Sequence, residues 1–390
     1  MKRRFTTALV MLLAFALLIG TTAITASAED TYTVNGTNTQ FNKYLVVDED
    51  TNIPAISFNF TVASGTPVEA TSNTPAILAG VGTPTIATVS FADGQATSKT
   101  APSDLNLASG KKFAVQTATV DFSGVTFTEP GVYRYVITEQ ETTGAKAVTY
   151  DTQADTADPK VRYLDVYVED VNNALTVSSY VMHKTTTVVA NDDADRKADD
   201  KSSSYVNEIS TKDLEFGKEV TGNQGSKDKY FKFQLVISNA QANTTYYIDL
   251  ASAEASPTKT DATTYSSMTN PASFITNDTG DATITFYLKD GQYIKIPGLP
   301  DGYGYTLTET EEDYASSATI SADNGKGGVA YDDGVTGTNV STDIKTGFTN
   351  DRTGIIPTGV IMTIAPFAIG ICVFGAIIIF IICRRKRRNY

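Results

Sequence analysis

One pattern occurs twice along this 390-residue chain, and it limits what the chain can fold into more than any other feature. In order it reads lysine, Phe-x-Phe, Tyr-x-(Ile/Leu)-x-Glu, then aromatic-x-Asn. In the first copy Phe41, Lys43, Leu45 and Val47 alternate, so they share one face of a strand. Phe58, Phe60 and Val62 line a face of a second strand across Ser57–Val62, and Tyr133, Tyr135, Ile137 and Glu139 line a third after Pro130-Gly131. Tyr205-Val206-Asn207 closes the copy. The second copy runs through Leu214, Phe216, Lys218 and Val220, then Phe231, Phe233 and Leu235. Pro297-Gly298-Leu299-Pro300 leads into its Tyr303, Tyr305, Leu307 and Glu309, and Phe348-Thr349-Asn350 ends it. A period of two predicts strands, and a duplicated order predicts one domain per copy. Frequent Gly, Asn and Asp turns between short alternating runs make the expected class all-β, as two tandem β-sandwiches over residues 29–210 and 211–354. With so few residues between Asn207 and Leu214, the domains are expected end to end with little freedom.

The two ends are of another kind. Lys2, Arg3 and Arg4 precede the apolar run Ala8–Gly20, and Ala26-Ser27-Ala28 offers a small-x-small cleavage site, so residues 1–28 read as a secretory signal peptide. Residues 355–390 contain the uncharged run Val360–Cys383 followed by Arg384-Arg385-Lys386-Arg387-Arg388, which reads as a transmembrane helix with a cytoplasmic basic tail. Both cysteines, Cys372 and Cys383, fall in that run. The exported part must therefore obtain its durability from something other than disulfides. The net charge is −13 although both ends are basic, so the chain offers no electrostatic footprint for nucleic acid.

Each copy puts a lysine and a glutamate on the apolar face of a strand and an asparagine two residues past an aromatic. Burial neutralises both charges, because it lowers a lysine pKa and raises that of a carboxyl. A neutral amine is a nucleophile, and a protonated carboxyl can donate to an amide oxygen. Beside an Asn carboxamide, the amine can attack it to give a side-chain amide and ammonia, with the carboxyl as proton shuttle and electrophilic support. The plainer alternatives are a buried Lys–Glu pair bonded to Asn, or an inward lysine that blunts a sheet edge. Two copies in one order, in a chain without exported cysteine, favour the chemistry.

Ile355-Ile356-Pro357-Thr358-Gly359, the apolar run and the basic tail together resemble the cell-wall sorting signal of Gram-positive surface proteins. The commonest form is Leu-Pro-x-Thr-Gly; here no residue separates Pro357 from Thr358, a shorter form that resembles a group of streptococcal-type pilins. The resemblance implies a sortase whose cysteine attacks the Thr358 carbonyl and releases Gly359. Pro357 fits that use by keeping the segment extended. With the duplicated triple, nearly the whole chain resembles the two-domain major pilins of the streptococcal pilin isopeptide-linkage family, which have Cna-type immunoglobulin-like domains. That resemblance implies Lys43 joined to Asn207 with Glu139 assisting, and Lys218 joined to Asn350 with Glu309 assisting. It also implies a pilus shaft subunit polymerised through Thr358 onto a lysine of the next copy. The family position for that lysine lies shortly before Asn207, nearest to Lys201, then Lys197, with Lys160 as an outsider. Implied partners are a sortase, further copies of the chain, tip and basal pilins and peptidoglycan. The implied location is the pilus or cell wall of a Gram-positive bacterium, with transient membrane anchoring.

Two other readings remain. One is an adhesin anchored singly to the wall by sortase; the other is an uncleaved membrane receptor ectodomain. Enzymology of the usual kind has little support, and no cofactor or metal is expected. His183 reads as a surface residue, and no nucleophile elbow or phosphate loop is present. Asp48-Glu49-Asp50 lacks the spacing of a calcium loop and reads as a solvated turn.

Overall fold

The computed structural model describes residues 33–72, 74–151, 158–186, 201–251, 272–310, 313–320, 329–330 and 335–354. Every regular element among them is a β-strand. No helix among the described residues is long and apolar enough to cross a membrane; the expected signal peptide and C-terminal span lie outside them.

Up to Ile209 two sheets pack over one core. The first holds, in spatial order, Val148–Thr149, Ser204–Ile209, Thr39–Asp48, Lys111–Asp121 and Thr85–Ile86. The second holds Leu175–His183, Val161–Asp170, Gly131–Glu139 and Phe60–Ser64, with Leu78–Ala79 also on the Gly131–Glu139 strand. From Thr211 the plan repeats. One sheet contains Tyr293–Pro300, Thr211–Thr221, Ile344–Asp351 and Ala315–Ile320 in that order, and the other contains Ala282–Leu288, Phe231–Ser238, Tyr303–Glu309 and Val335–Val340. The fold is all-β, in tandem immunoglobulin-like units.

Register explains why the same residues recur. Thr39–Asp48 runs parallel to Ser204–Ile209 with Lys43 opposite Tyr205, and Thr211–Thr221 runs parallel to Ile344–Asp351 with Lys218 opposite Phe348. In each case the asparagine lies two residues on, which returns it to the lysine's face. On the facing sheet Glu139 is opposite Phe60, and Glu309 is opposite Phe233. Three aromatics close round each of these points. Phe41, Phe60 and Tyr205 have ring centroids 5.2–5.3 Å apart, while Phe233 lies 6.1 Å from Phe216 and 5.1 Å from Phe348. Burying each ring contributes about 2 kcal/mol, enough to keep the two sheets in register.

The Ser57–Val62 strand differs from expectation. It is broken at Asn59 into Ile56–Phe58, which pairs with Val89–Phe91, and Phe60–Ser64, which pairs with the Glu139 strand. The Asn59 side chain and carbonyl accept from Thr88 and Gln140 there, so the break is itself hydrogen-bonded. The Thr39–Asp48 strand is also covered on its other face, where Tyr44 and Val46 pack with Leu105, Phe113 and Val206.

Only Ser210 separates the last strand of the first unit from the first strand of the second. The Asp48-Glu49-Asp50 turn is ion-paired rather than simply solvated: Asp48 meets Lys111 at 2.8 Å, Glu49 meets Lys99 at 3.1 Å and Asp50 meets Lys295 of the second unit at 3.0 Å. Lys295 also holds Asp213 at 2.6 Å. Gly298 has φ +78°, and a Cβ there would fall 2.8–3.1 Å from Thr51 atoms, so glycine supplies both the backbone conformation and the close approach between units.

His183 is not simply a surface residue. Its Nε2 lies 3.4 Å from Asp165, a buried carboxylate gripped by Arg134 through two bonds of 2.7 Å, and Arg134 also donates to the Thr186 carbonyl. Arg134 and Asp165 face each other directly in the register. Asp165→Ala strands a buried guanidinium and is expected to destabilise the first unit by about 3–5 kcal/mol. Urea unfolding followed unit by unit checks this; the second unit should be unaffected.

Candidate functional site

In the first unit the side chains of Lys43, Glu139 and Asn207 converge between the sheets, each at most 1% exposed. A single carboxylate oxygen is shared: Glu139 Oε1 lies 2.8 Å from Lys43 Nζ and accepts from Asn207 Nδ2 at 2.7 Å. Lys43 Nζ sits 4.6 Å from the centroid of the Phe58 ring. Burial lowers the Lys43 pKa to about 8 against the opposing pull of Glu139, and burial also raises the Glu139 pKa. At pH 7 the fraction of neutral amine is thereby roughly two orders of magnitude above that of an ordinary lysine. The other Glu139 oxygen is buried without a hydrogen-bond partner among the described residues, which is consistent with a weakly held negative charge.

The second unit repeats the arrangement. Lys218 Nζ lies 3.0 Å from Glu309 Oε1 and 3.1 Å from Oε2, and Oε1 accepts from Asn350 Nδ2 at 2.7 Å. The Phe231 ring centroid lies 4.6 Å from the amine, whose pKa burial again lowers to about 8. Each site therefore presents a nucleophile, a carboxamide and one oxygen able to take a proton from the first and pass it to the nitrogen of the second.

The glutamate contact differs from the expected one. The carboxyl does not donate to the amide oxygen; it accepts from the amide nitrogen. In the first unit the oxygen has its own donor, the backbone N–H of Asp151 at 2.9 Å, which fixes the orientation of the carboxamide. Asp151 is buried, has φ +39°, and its carboxylate is paired with Arg162, which stacks 4.8 Å over Tyr205. The Tyr205 hydroxyl donates to the Ile137 carbonyl at 3.0 Å. Nothing in the sequence pattern pointed to Asp151, because its contribution comes from its main chain. Asn350 Oδ1 is buried without a hydrogen-bond partner among the described residues.

Lys201 is exposed, and its backbone forms an isolated bridge to His183. It lines a polar cleft with Lys184, Arg162, Asp104 and Ser203. Lys160 is paired with Glu141 at 2.7 Å. Lys197 and the motif residues Ile355, Ile356, Pro357, Thr358 and Gly359 lie outside the described residues.

Comparison with known proteins follows the same division. Residues 39–208 match the Spy0128-like isopeptide containing domain, FctA, and residues 212–352 match a family described as a domain of unknown function, DUF7601. The chain is 29% identical over 279 residues to a protein named Pilin from Streptococcus pyogenes serotype M1, covering 70% of this chain and 72% of the relative. It is 32% identical over 151 residues to the pilus tip adhesin Cpa of Streptococcus pyogenes, covering 38% of this chain and 18% of that protein. Its fold is similar to the crystal structure of the major pilin from Streptococcus pyogenes, with TM-score 0.50 and 23% identity over 82% of this chain and all of the other. The T3.2 major pilin of the same species gives TM-score 0.52 at 21% identity, over 82% and 99% of the two chains. Over residues 39–208 the chain is thus similar to the Spy0128-like isopeptide containing domain, and over most of its length to a streptococcal pilin.

Proposed function

We propose that the chain is a pilus shaft subunit, stabilised by Lys43–Asn207 and Lys218–Asn350 amides and polymerised by a sortase from Thr358 onto a lysine of the next copy. The observation that carries the reading is the buried amine–carboxylate–carboxamide contact made twice with one geometry. The repetition of the contact in both units, with the carboxamide on the oxygen that meets the amine, supports the crosslinking chemistry over a lone structural ion pair. The pilin relative supports the role in a shaft. In each unit the amine attacks the Asn carbonyl carbon; its proton passes through glutamate Oε1 to the departing nitrogen, which leaves as ammonia. The chain acts on itself once and turns over no substrate. Exposure and a position shortly before Asn207 support Lys201 as the polymerising lysine, with Lys197 as the alternative. Domains over residues 29–210 and 211–354, a signal peptide over 1–28 and a sorting segment over 355–390 fit this use and support a location in the pilus on the cell wall.

The intact mass of residues 29–358 should fall two ammonias below that of the plain sequence. Glu139→Ala and Glu309→Ala should each restore one. A mass equal to the plain sequence would leave both lysines as buried ion-pair residues.

Because the nucleophile is the neutral amine and its pKa is about 8 in both units, bond formation should quicken as pH rises and level off above about 8. Well below that point the rate should fall about tenfold per pH unit. Mass spectrometry on uncrosslinked chain, recovered unfolded and diluted into buffers of graded pH, measures it. A flat profile would mean that the proton is exchanged wholly within the Lys–Glu pair.

The alternative is a wall-anchored adhesin that never polymerises; the adhesin Cpa matches 38% of this chain but is named as a pilus tip protein. A ladder of high-mass species in the cell-wall fraction, lost in Lys201→Ala, identifies a shaft subunit. One wall-bound band identifies the adhesin.

A further inference from the structure

The two triads are alike in the lysine, the glutamate and the nitrogen of the asparagine, and unlike at the asparagine oxygen. That oxygen is where negative charge collects when an amine adds to a carboxamide. In the first unit it faces the Asp151 N–H at 2.9 Å; in the second, Asn350 Oδ1 has no hydrogen-bond partner among the described residues. We propose that the backbone N–H of Asp151 is the oxyanion donor for formation of the Lys43–Asn207 bond, and that the second unit forms its bond without an equivalent donor.

The inference rests on the crosslinking proposed above and specifies how one of the two sites achieves it. Several features argue that the donor is built rather than incidental. Asp151 is 3% exposed, and its φ of +39° lies in the left-handed region that most non-glycine residues avoid. The Asp151 carboxylate is paired with Arg162, itself 1% exposed, and also accepts from the Val206 N–H at 3.4 Å. Arg162 is fixed in turn by Ser202 Oγ at 3.1 Å, the Pro159 carbonyl at 3.2 Å and the Val161 carbonyl at 2.9 Å. The aspartate side chain thus serves as a tether, and the working group is its main-chain N–H.

The step balances without outside reagents. The Lys43 Nζ lone pair forms the bond to Asn207 Cγ, and the carbonyl π electrons move onto Oδ1, where the Asp151 N–H meets them. The amine proton goes to Glu139 Oε1 and then to Nδ2. Collapse of the oxyanion breaks the Cγ–Nδ2 bond and releases ammonia. A donor fixed before reaction, in a site closed to water, is worth most at the addition step.

The test makes the full chain by pulsed cell-free translation and samples it over time. Tryptic peptides bridging Lys43–Asn207 and Lys218–Asn350 are quantified separately, so the second unit is an internal control. One variant carries malic acid in place of Asp151, which keeps the carboxylate and replaces the N–H by an ester oxygen. The first bond should slow about a hundredfold, and the second should keep its rate. A malate chain no slower than the unmodified one overturns the proposal while leaving crosslinking intact. Failure of both bonds in the unmodified chain overturns the crosslinking itself. If limited proteolysis shows the first unit of the malate chain unfolded, the unmodified chain decides: a first bond faster than the second supports the donor, and an equal or slower one overturns it.

Discussion

The buried contact between an amine and a carboxylate is the constraint around which each unit is built. Taking both groups out of water costs several kcal/mol per ion, and their attraction returns that only when geometry is tight and the remaining valences are met. Here it is met in part. Lys43 and Lys218 rest on phenylalanine rings, and one oxygen of each glutamate serves both amine and amide. The surrounding aromatics exclude water and fix distance, so the desolvation that makes the contact expensive as an ion pair is what makes the amine reactive. Its pKa near 8 is the measure of that conversion.

The two units share this centre but support it differently. Around the first there is a second polar shell: Arg162 with Asp151, and Arg134 with Asp165, all buried. Around the second, Lys218 and Glu309 are the only buried charged side chains among the described residues, and Leu214, Phe286, Ile294 and Leu307 are fully covered. Polar shells of this kind constrain direction where apolar packing constrains only volume, so the carboxamide of the first unit is held at both its nitrogen and its oxygen, and that of the second at its nitrogen. That the two halves match different family descriptions agrees with a shared framework and divergent linings.

Much of this was legible in the sequence, because a strand writes its buried face at every second position. Tyr133, Tyr135, Ile137 and Glu139 are buried in that alternation, and so are Tyr303, Tyr305, Leu307 and Glu309. What sequence could not supply was anything carried by the main chain or by pairing between distant segments. Asn59 divides an apparently continuous strand because its neighbours on either side join different sheets. His183 looked solvent-facing because Asp165, which it approaches, is on the adjacent strand. Asp48 and Asp50 looked like loop charges because Lys111 and Lys295 are remote in the chain. Asp151 carried no signal of any kind, since any residue type has an N–H to offer.

The strand that carries the lysine and the strand that carries the asparagine lie side by side in each unit and run in the same direction. Parallel partners cannot be joined by a tight turn, so the whole of the unit's chain has to be threaded between them before they meet. The lysine waits on a strand made early, and its asparagine arrives on the strand made last. A chain synthesised from its N-terminus therefore has no means of pairing Lys43 with Asn207 until the intervening strands have left that edge free. Misarranged intermediates lack the reactive geometry altogether. The order of the strands acts as a clock and a checkpoint together: the amine meets the carboxamide in no conformation except the finished one.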